Sequence, residues 1–286
     1  MRQLFPPPET PGAAGRDPES PESPESPGAP GAPEAPEDGL GSGRLAALYA
    51  YPSARLEFPR ATAQRPWVRA NMVCSVDGAA SVNGRSGGLS GDADRRIFGI
   101  LRSLADVILV GAGTAAAEHY RPAQQASIQP GLRAGRTATP PIAVISGRLN
   151  LDPRSQLLTA APPDARTIVL TSEQAPEQQR AAVAEHADVI VAGTGGVDLK
   201  TALTTLADRG YQRVLTEGGP HLLAELATGG LLDELCLTVS PLLAGPGPGR
   251  ILAGDAQLPG GLPVTLGHVL EDQGFLLCRY TVTGRG

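Results

Sequence analysis

The sequence predicts an α/β protein built as a three-layer sandwich on a mixed, mostly parallel sheet. Apolar runs of strand length alternate with helix-like segments between Pro66 and Ala227, and that alternation packs parallel strands between two layers of helices. The last third of the chain carries strand-like runs with no helices between them, so the sheet gains an antiparallel extension. Hydrophobic residues make up 41% of the chain and aromatic residues only 3%, which leaves aliphatic side chains to fill the core.

In chain order, residues 1–43 read as a disordered Pro/Glu/Ser-rich tail. Its low-complexity part, 6–43, repeats Pro-Glu-Ser between Pro18 and Pro27; proline removes backbone donors and there is little apolar surface to bury. Residues 44–65 form a short helix, Arg44–Tyr51, stopped by Pro52, and a linker. Residues 66–286 form one domain. Its strands are Trp67–Val73, Val107–Val110, Ile142–Ile145, Thr167–Leu170, Val189–Ala192 and Val214–Leu215, and its helices Asp92–Leu104, Pro176–His186, Asp198–Asp208 and His221–Ala227. Leu235–Ser240, Val264–Leu270 and Phe275–Val282 make the antiparallel extension.

The formal charge of −5 belongs to the tail, because residues 1–43 hold eight acidic side chains against two arginines. The remainder is close to neutral and has no basic field, so a nucleic-acid partner is not expected. Lys200 is the only lysine and falls on a surface helix, which argues against Schiff-base chemistry; arginine supplies the other fixed cations and suits phosphate recognition. Cys74, Cys236 and Cys278 lie far apart in apolar runs, and the four histidines show no ligand spacing, so buried thiols and no metal are expected. No apolar run reaches membrane-spanning length and no secretory leader is evident, pointing to a cytoplasmic protein.

Three strands run directly into glycine: Gly111-Ala-Gly113-Thr114, Gly193-Thr-Gly195-Gly196 and Glu217-Gly218-Gly219-Pro220. Each is either a tight turn or a phosphate cradle, where absent Cβ atoms and free N–H groups let an anion approach. Several at one sheet edge favour a dinucleotide. Gly111, Gly113 and Ala116 also fit the dinucleotide fingerprint, but the acid it requires about twenty residues on is missing, as 131–136 reads Gly-Leu-Arg-Ala-Gly-Arg. The next strand instead ends in Ser146-Gly147-Arg148, a pair suited to a 2′-phosphate. Gly84-Arg-Ser86-Gly-Gly88 matches a hydrolase nucleophile pattern, yet no strand leads into Ser86 and the helix starts only after Gly91.

A longer constellation follows in order: Asn71-Met-Val-Cys-Ser75-Val-Asp77-Gly78, Ser86, Arg102, the Gly111–Thr114 turn, Tyr120-Arg121-Pro122, Thr216-Glu217-Gly218-Gly219-Pro220, Leu232-Asp233-Glu234-Leu235 and Pro241-Leu-Leu-Ala-Gly245. Over residues 66–282 this set resembles the C-terminal reductase domain of the riboflavin-biosynthesis deaminase–reductase and the stand-alone pyrimidine reductases of that family. The deaminase signature does not occur, so the stand-alone form is expected. The resemblance implies a dihydrofolate-reductase-like sandwich, a homodimer, NADPH as cofactor, and reduction of the ribose of a ribosylaminopyrimidine 5′-phosphate.

It also implies roles. Gly111, Gly113, Thr114, Glu118, Ser146, Gly218, Gly219 and Pro220 would contact cofactor. Ser86, Arg102 and Arg121 would touch substrate, the arginines at its phosphate, with Glu217 between the two ligands. Asp77 would polarise or protonate the substrate. Two departures bear on the pocket: Asn71 stands where bifunctional members carry lysine, and Gly88 where they carry tryptophan. Both would widen it and keep a dihydrofolate or other pteridine reductase open as an alternative. A serine hydrolase acting through Ser86 and a non-catalytic NADPH-binding protein are the remaining readings.

Overall fold

The strand that organises the molecule is also among its longest apolar runs. In the computed structural model, which describes residues 1–6, 40–52, 65–255 and 257–283, β2 (Trp67–Ser75) lies inside a sheet and pairs on both sides. The remaining strands are β1 (Arg2–Phe5), β3 (Val107–Gly111), β4 (Ile142–Ile145), β5 (Ile168–Thr171), β6 (Asp188–Val191), β7 (Arg213–Thr216), β8 (Glu234–Ser240), β9 (Val264–Asp272) and β10 (Phe275–Val282). Among the described residues they form one ten-stranded sheet, ordered β1-β9-β10-β8-β2-β7-β3-β4-β5-β6. The run from β8 through β2 to β6 is parallel, and β10, β9 and β1 continue it antiparallel.

The helices are α1 (Ser42–Leu48), α2 (Asp92–Leu104), α3 (Ala112–Ala117), α4 (Gln156–Thr159), α5 (Glu177–Ala184), α6 (Leu199–Asp208) and α7 (Pro220–Thr228). In α2, Ala93, Ile97, Ile100 and Leu101 fall on one helical stripe and are buried; Asp92 and Asp94 sit at its positive end and Arg102 at its negative end. α6 is capped by Asp198, which accepts from Thr201 N at 2.6 Å, and α7 opens on Pro220 at a position that needs no N–H donor. Two aliphatic cores result. One packs Leu45, Ile97, Ile100 and Val183 from α1, α2 and α5 against one face of the sheet; the other packs Leu203, Leu206, Leu223 and Leu226 from α6 and α7 against the opposite face.

Register sets the position of the site. Leu109 is level with Thr216, Gly111 with Ile145, and Ile145 with Leu170, so the parallel strands end together. The glycine turns therefore gather at one edge, where ligands bind in open α/β sheets.

The expected domain boundaries need correction at the N-terminus. Arg2–Phe5 is not tail but an edge strand on β9, tied by Arg2 Nε to Glu271 at 2.7 Å. An edge strand needs only backbone pairing, and this one is mostly exposed, so it leaves no hydrophobic pattern to read. The helix expected at Arg44–Tyr51 starts at Ser42 and ends at Leu48, with Leu45, Ala46 and Tyr49 buried. The rest of the tail, 7–39, and the linker segment 53–64 lie outside the described residues. Among the described residues no helix is long and apolar enough to cross a membrane, and the three cysteines are buried free thiols.

Candidate active site

At the C-terminal ends of β2, β3 and β7 the chain encloses a cavity of about 490 Å3. Asn71 and Met72 form its floor, Phe98 of α2, Thr114 of α3 and Glu118 just after that helix its sides, and Glu217 with Gly219 and Pro220 its back wall. A second cavity of about 550 Å3 lies over the ends of β4 and β5, where Ser146, Arg148, Ser172 and Gly195 meet. Both cavities are bounded by Gly113, so they adjoin as one elongated cleft.

Glycine makes the junction possible. Gly111 N donates to Gly218 O at 2.8 Å, pinning the two turns together. A Cβ on Gly219 would overlap Thr114 Oγ1, and Gly218 has φ +83°, a left-handed value that disfavours any side chain. The Gly218–Gly219 peptide is cis. Seven of the eight residues expected to contact cofactor, namely Gly113, Thr114, Glu118, Ser146, Gly219 and Pro220 in the walls and Gly111 behind them, are thereby gathered along the cleft, with Gly218 completing the turn.

The substrate set is gathered less completely. Glu217 is buried, and Arg102 grips it with two parallel bonds, Nε to Oε1 and Nη2 to Oε2, each 2.7 Å. Tyr120 adds a third donor at 2.5 Å, and Phe98 stacks 4.2 Å beneath the Arg102 guanidinium. Burial works against the Arg102 charge, but Glu217 outweighs it and raises the arginine pKa. Arg102 is therefore engaged with Glu217 through Nε and Nη2 and does not itself line the cavity, while its remaining N–H groups are not used by the carboxylate. Arg121 is exposed and also outside the wall, because the chain turns its neighbour Tyr120 inward instead. The sequence reading quoted Tyr120 without giving it a role and did not single out Phe98; their rarity in a chain with five tyrosines and four phenylalanines was the available signal.

Ser86 and Glu118 meet across the cavity mouth, where Ser86 N and Oγ both donate to Glu118 Oε1, at 2.8 and 2.9 Å. The serine hydroxyl thus faces a carboxylate, and the neighbouring His119 contacts Arg85. That is not a nucleophile elbow. Gly88 does not widen the cavity either: a Cβ there would stand 3.1 Å from Val82 Cβ, which fills the space. Asn71 does line the cavity.

Asp77 is the largest departure from expectation. It is exposed and outside the cavity wall. Its carboxylate accepts from Ser75 Oγ, from Ala244 N at 3.1 Å and from Gly245 N at 2.8 Å, and these donors hold its pKa down at about 2. A carboxylate so stabilised is ionised near neutrality, and the motif Ser75-x-Asp77-Gly78 joins this loop to the one after β8.

Comparison with known proteins agrees with this architecture. The family model described as "RibD C-terminal domain" matches residues 66–274. The 2,5-diamino-6-ribosylamino-4(3H)-pyrimidinone 5′-phosphate reductase of Methanothermobacter thermautotrophicus is 32% identical over 189 residues, 66% of this chain and 83% of that protein. The crystal structure of a pyrimidine reductase-like protein from Corynebacterium diphtheriae superposes with a TM-score of 0.70 at 27% identity, covering 80% of this chain and 96% of that one. The Thermotoga maritima deaminase/reductase superposes with a TM-score of 0.57 at 20% identity over 77% of this chain and 57% of that one, which bears on the fold alone. The sandwich is thus of the dihydrofolate-reductase-like kind, and the chain belongs to the RibD C-terminal domain family.

Proposed function

We propose that this chain is a riboflavin-pathway pyrimidine reductase that uses NADPH to reduce 2,5-diamino-6-ribosylamino-4(3H)-pyrimidinone 5′-phosphate, the substrate in the name of its archaeal relative. The observation that carries the reading is the two-lobed cleft with a glycine turn at its waist. A Cβ at Gly219 would overlap Thr114 and one at Gly218 would press on Met72, so glycine lets the turn pack closely at the waist, where its backbone suits an extended dinucleotide. Ser146 and the exposed Arg148 in the second cavity offer a hydroxyl and a fork to a 2′-phosphate. The first amides of α7 and the Gly111–Thr114 turn face the diphosphate path.

When bound, the nicotinamide supplies the hydride. The protein's own residues align the acceptor. Asn71 presents an amide to the heterocycle from the floor of the first cavity, and Phe98 gives it an apolar side. Glu217, fixed by Arg102 and Tyr120, offers an acceptor edge to ribose hydroxyls with little reorganisation. Ser86 and Glu118 close the mouth.

The test is oxidation of NADPH and NADH against a panel holding the ribosylaminopyrimidine phosphate and dihydrofolate. Oxidation of NADPH by the pyrimidine phosphate, with NADH at least tenfold poorer, is expected; turnover of dihydrofolate alone would replace the substrate. Arg148→Gln should raise KM for NADPH about tenfold and leave that for NADH unchanged. We also propose a homodimer. The half-exposed row Leu235, Leu237 and Val239 on β8 and the exposed Leu276 on β10 share one uncovered sheet face, and sedimentation equilibrium would show twice the chain mass.

A further inference from the structure

The loop that leaves β8 is pinned to the rim of the first cavity along most of its length. Val76 N donates to Leu242 O at 3.0 Å, Asp77 takes the amides of Ala244 and Gly245, Ala80 N donates to Gly249 O at 2.8 Å, and Ala253 N donates to Pro220 O at 3.2 Å. Arg250 sits between the last two anchors and lines the cavity. Among the described residues it has no ion-pair or hydrogen-bond partner. The other arginine of the wall, Arg95, is paired with Asp92 at 2.6 Å. The wall's three carboxylates are each engaged elsewhere: Asp94 by Ser90 at 2.6 Å, Glu118 by Ser86, and Glu217 by Arg102.

The backbone is anchored at the cavity on both flanks of Arg250, and its exposed guanidinium has no carboxylate partner among the described residues; such a fork is matched to phosphate. Arg102 and Arg121, the cations expected for that task, are outside the wall, so the cavity otherwise lacks an unengaged fork. We propose that Arg250 is the phosphate-recognising residue of the first cavity and that Asp77 is a positioning residue which holds its loop. The inference rests on the reductase reading above. The phosphate can come from the 5′-position of the substrate or from the diphosphate of the cofactor.

Calorimetric titration of the full chain with ribose 5-phosphate, and separately with NADPH, distinguishes the two sources. Arg250→Gln should weaken one of these ligands about 10- to 100-fold, and Arg250→Lys should recover part of it. Loss confined to ribose 5-phosphate assigns the substrate phosphate; loss confined to NADPH assigns the diphosphate. Ribose without phosphate should bind the wild type and Arg250→Gln alike. Asp77→Asn should weaken the same ligand by a smaller factor, raising KM while kcat stays within about threefold. Unchanged affinity for both ligands in Arg250→Gln, or no binding of either by the wild type, overturns the proposal. Phosphate binding that depends on Arg250 without NADPH oxidation by the pyrimidine phosphate would instead overturn the reductase reading and leave this one standing.

Discussion

Glu217 and Arg102 show how much a single pair can settle. The carboxylate closes the back of a ligand cavity, and its geometry depends on a guanidinium that is itself nearly buried, at 13% side-chain exposure against 3% for the glutamate. Removing one partner strands the other's charge away from water. Arg102→Met should therefore cost about 3–5 kcal/mol in urea unfolding, and Arg102→Met with Glu217→Gln should cost clearly less than the sum of the single changes. Gly219 makes a second residue-level case. Its backbone angle is ordinary, so the constraint is space alone: Gly219→Ala should cost about 1–3 kcal/mol through overlap with Thr114, and Thr114→Ala should restore much of it in a thermal melt. The glycines were legible in the sequence as a motif. Which atom each makes room for was not, because Thr114 is more than a hundred residues away.

At the scale of elements, the loop after β8 depends on a loop after β2. Asp77 is ionised throughout the neutral range, held down at about 2 by Ser75 and by the amides of Ala244 and Gly245. Because the folded pKa is depressed, the anchoring is complete above the ordinary carboxylate range and is lost only as pH falls toward 2. Asp77→Asn should speed exchange of the Ala244 and Gly245 amides about tenfold at neutral pH while amides of β2 stay protected. The long amphipathic elements were readable. Helix α2 spans Asp92–Leu104 as its apolar spacing dictates, and β10 spans Phe275–Val282. The six-residue α3 was not, since an Ala-rich turn after glycine carries no hydrophobic period.

Over the whole molecule, charge is buried where the parallel and antiparallel parts of the sheet meet. Arg69 and Glu234 are fully buried and paired at 2.7 Å, and Arg279 joins the same carboxylate at 2.8 Å. His268 lies beside them, edge-on to Tyr49 with centroids 4.6 Å apart. Burial first, and then Arg279, push its pKa down to about 4 from 6.5. The unfolded chain thus binds a proton that the folded chain refuses, so the histidine costs nothing above about pH 6.5 and stability falls as pH drops from there toward 4. At about 1.4 kcal/mol per unit, unfolding at pH 5 should come about 2 kcal/mol more easily than at pH 7 from this group. His268→Leu should flatten that slope in denaturant titrations at a series of pH values.

The sequence by itself determined the layer order, the parallel-then-antiparallel sheet and the glycine turns, because each follows from short-range pattern and backbone sterics. It also placed the glycine turns that line the cleft in one set. Only the tertiary structure decided what the charged residues do. Asp77 and Arg102 read as substrate groups in one dimension, yet their charges are satisfied by Gly245 and Glu217, partners 168 and 115 residues away. Arg250, unremarkable in sequence, is left without such a partner among the described residues. A carboxylate or guanidinium takes the nearest complementary group the fold offers, and that choice is made only when distant strands end at the same edge of the sheet.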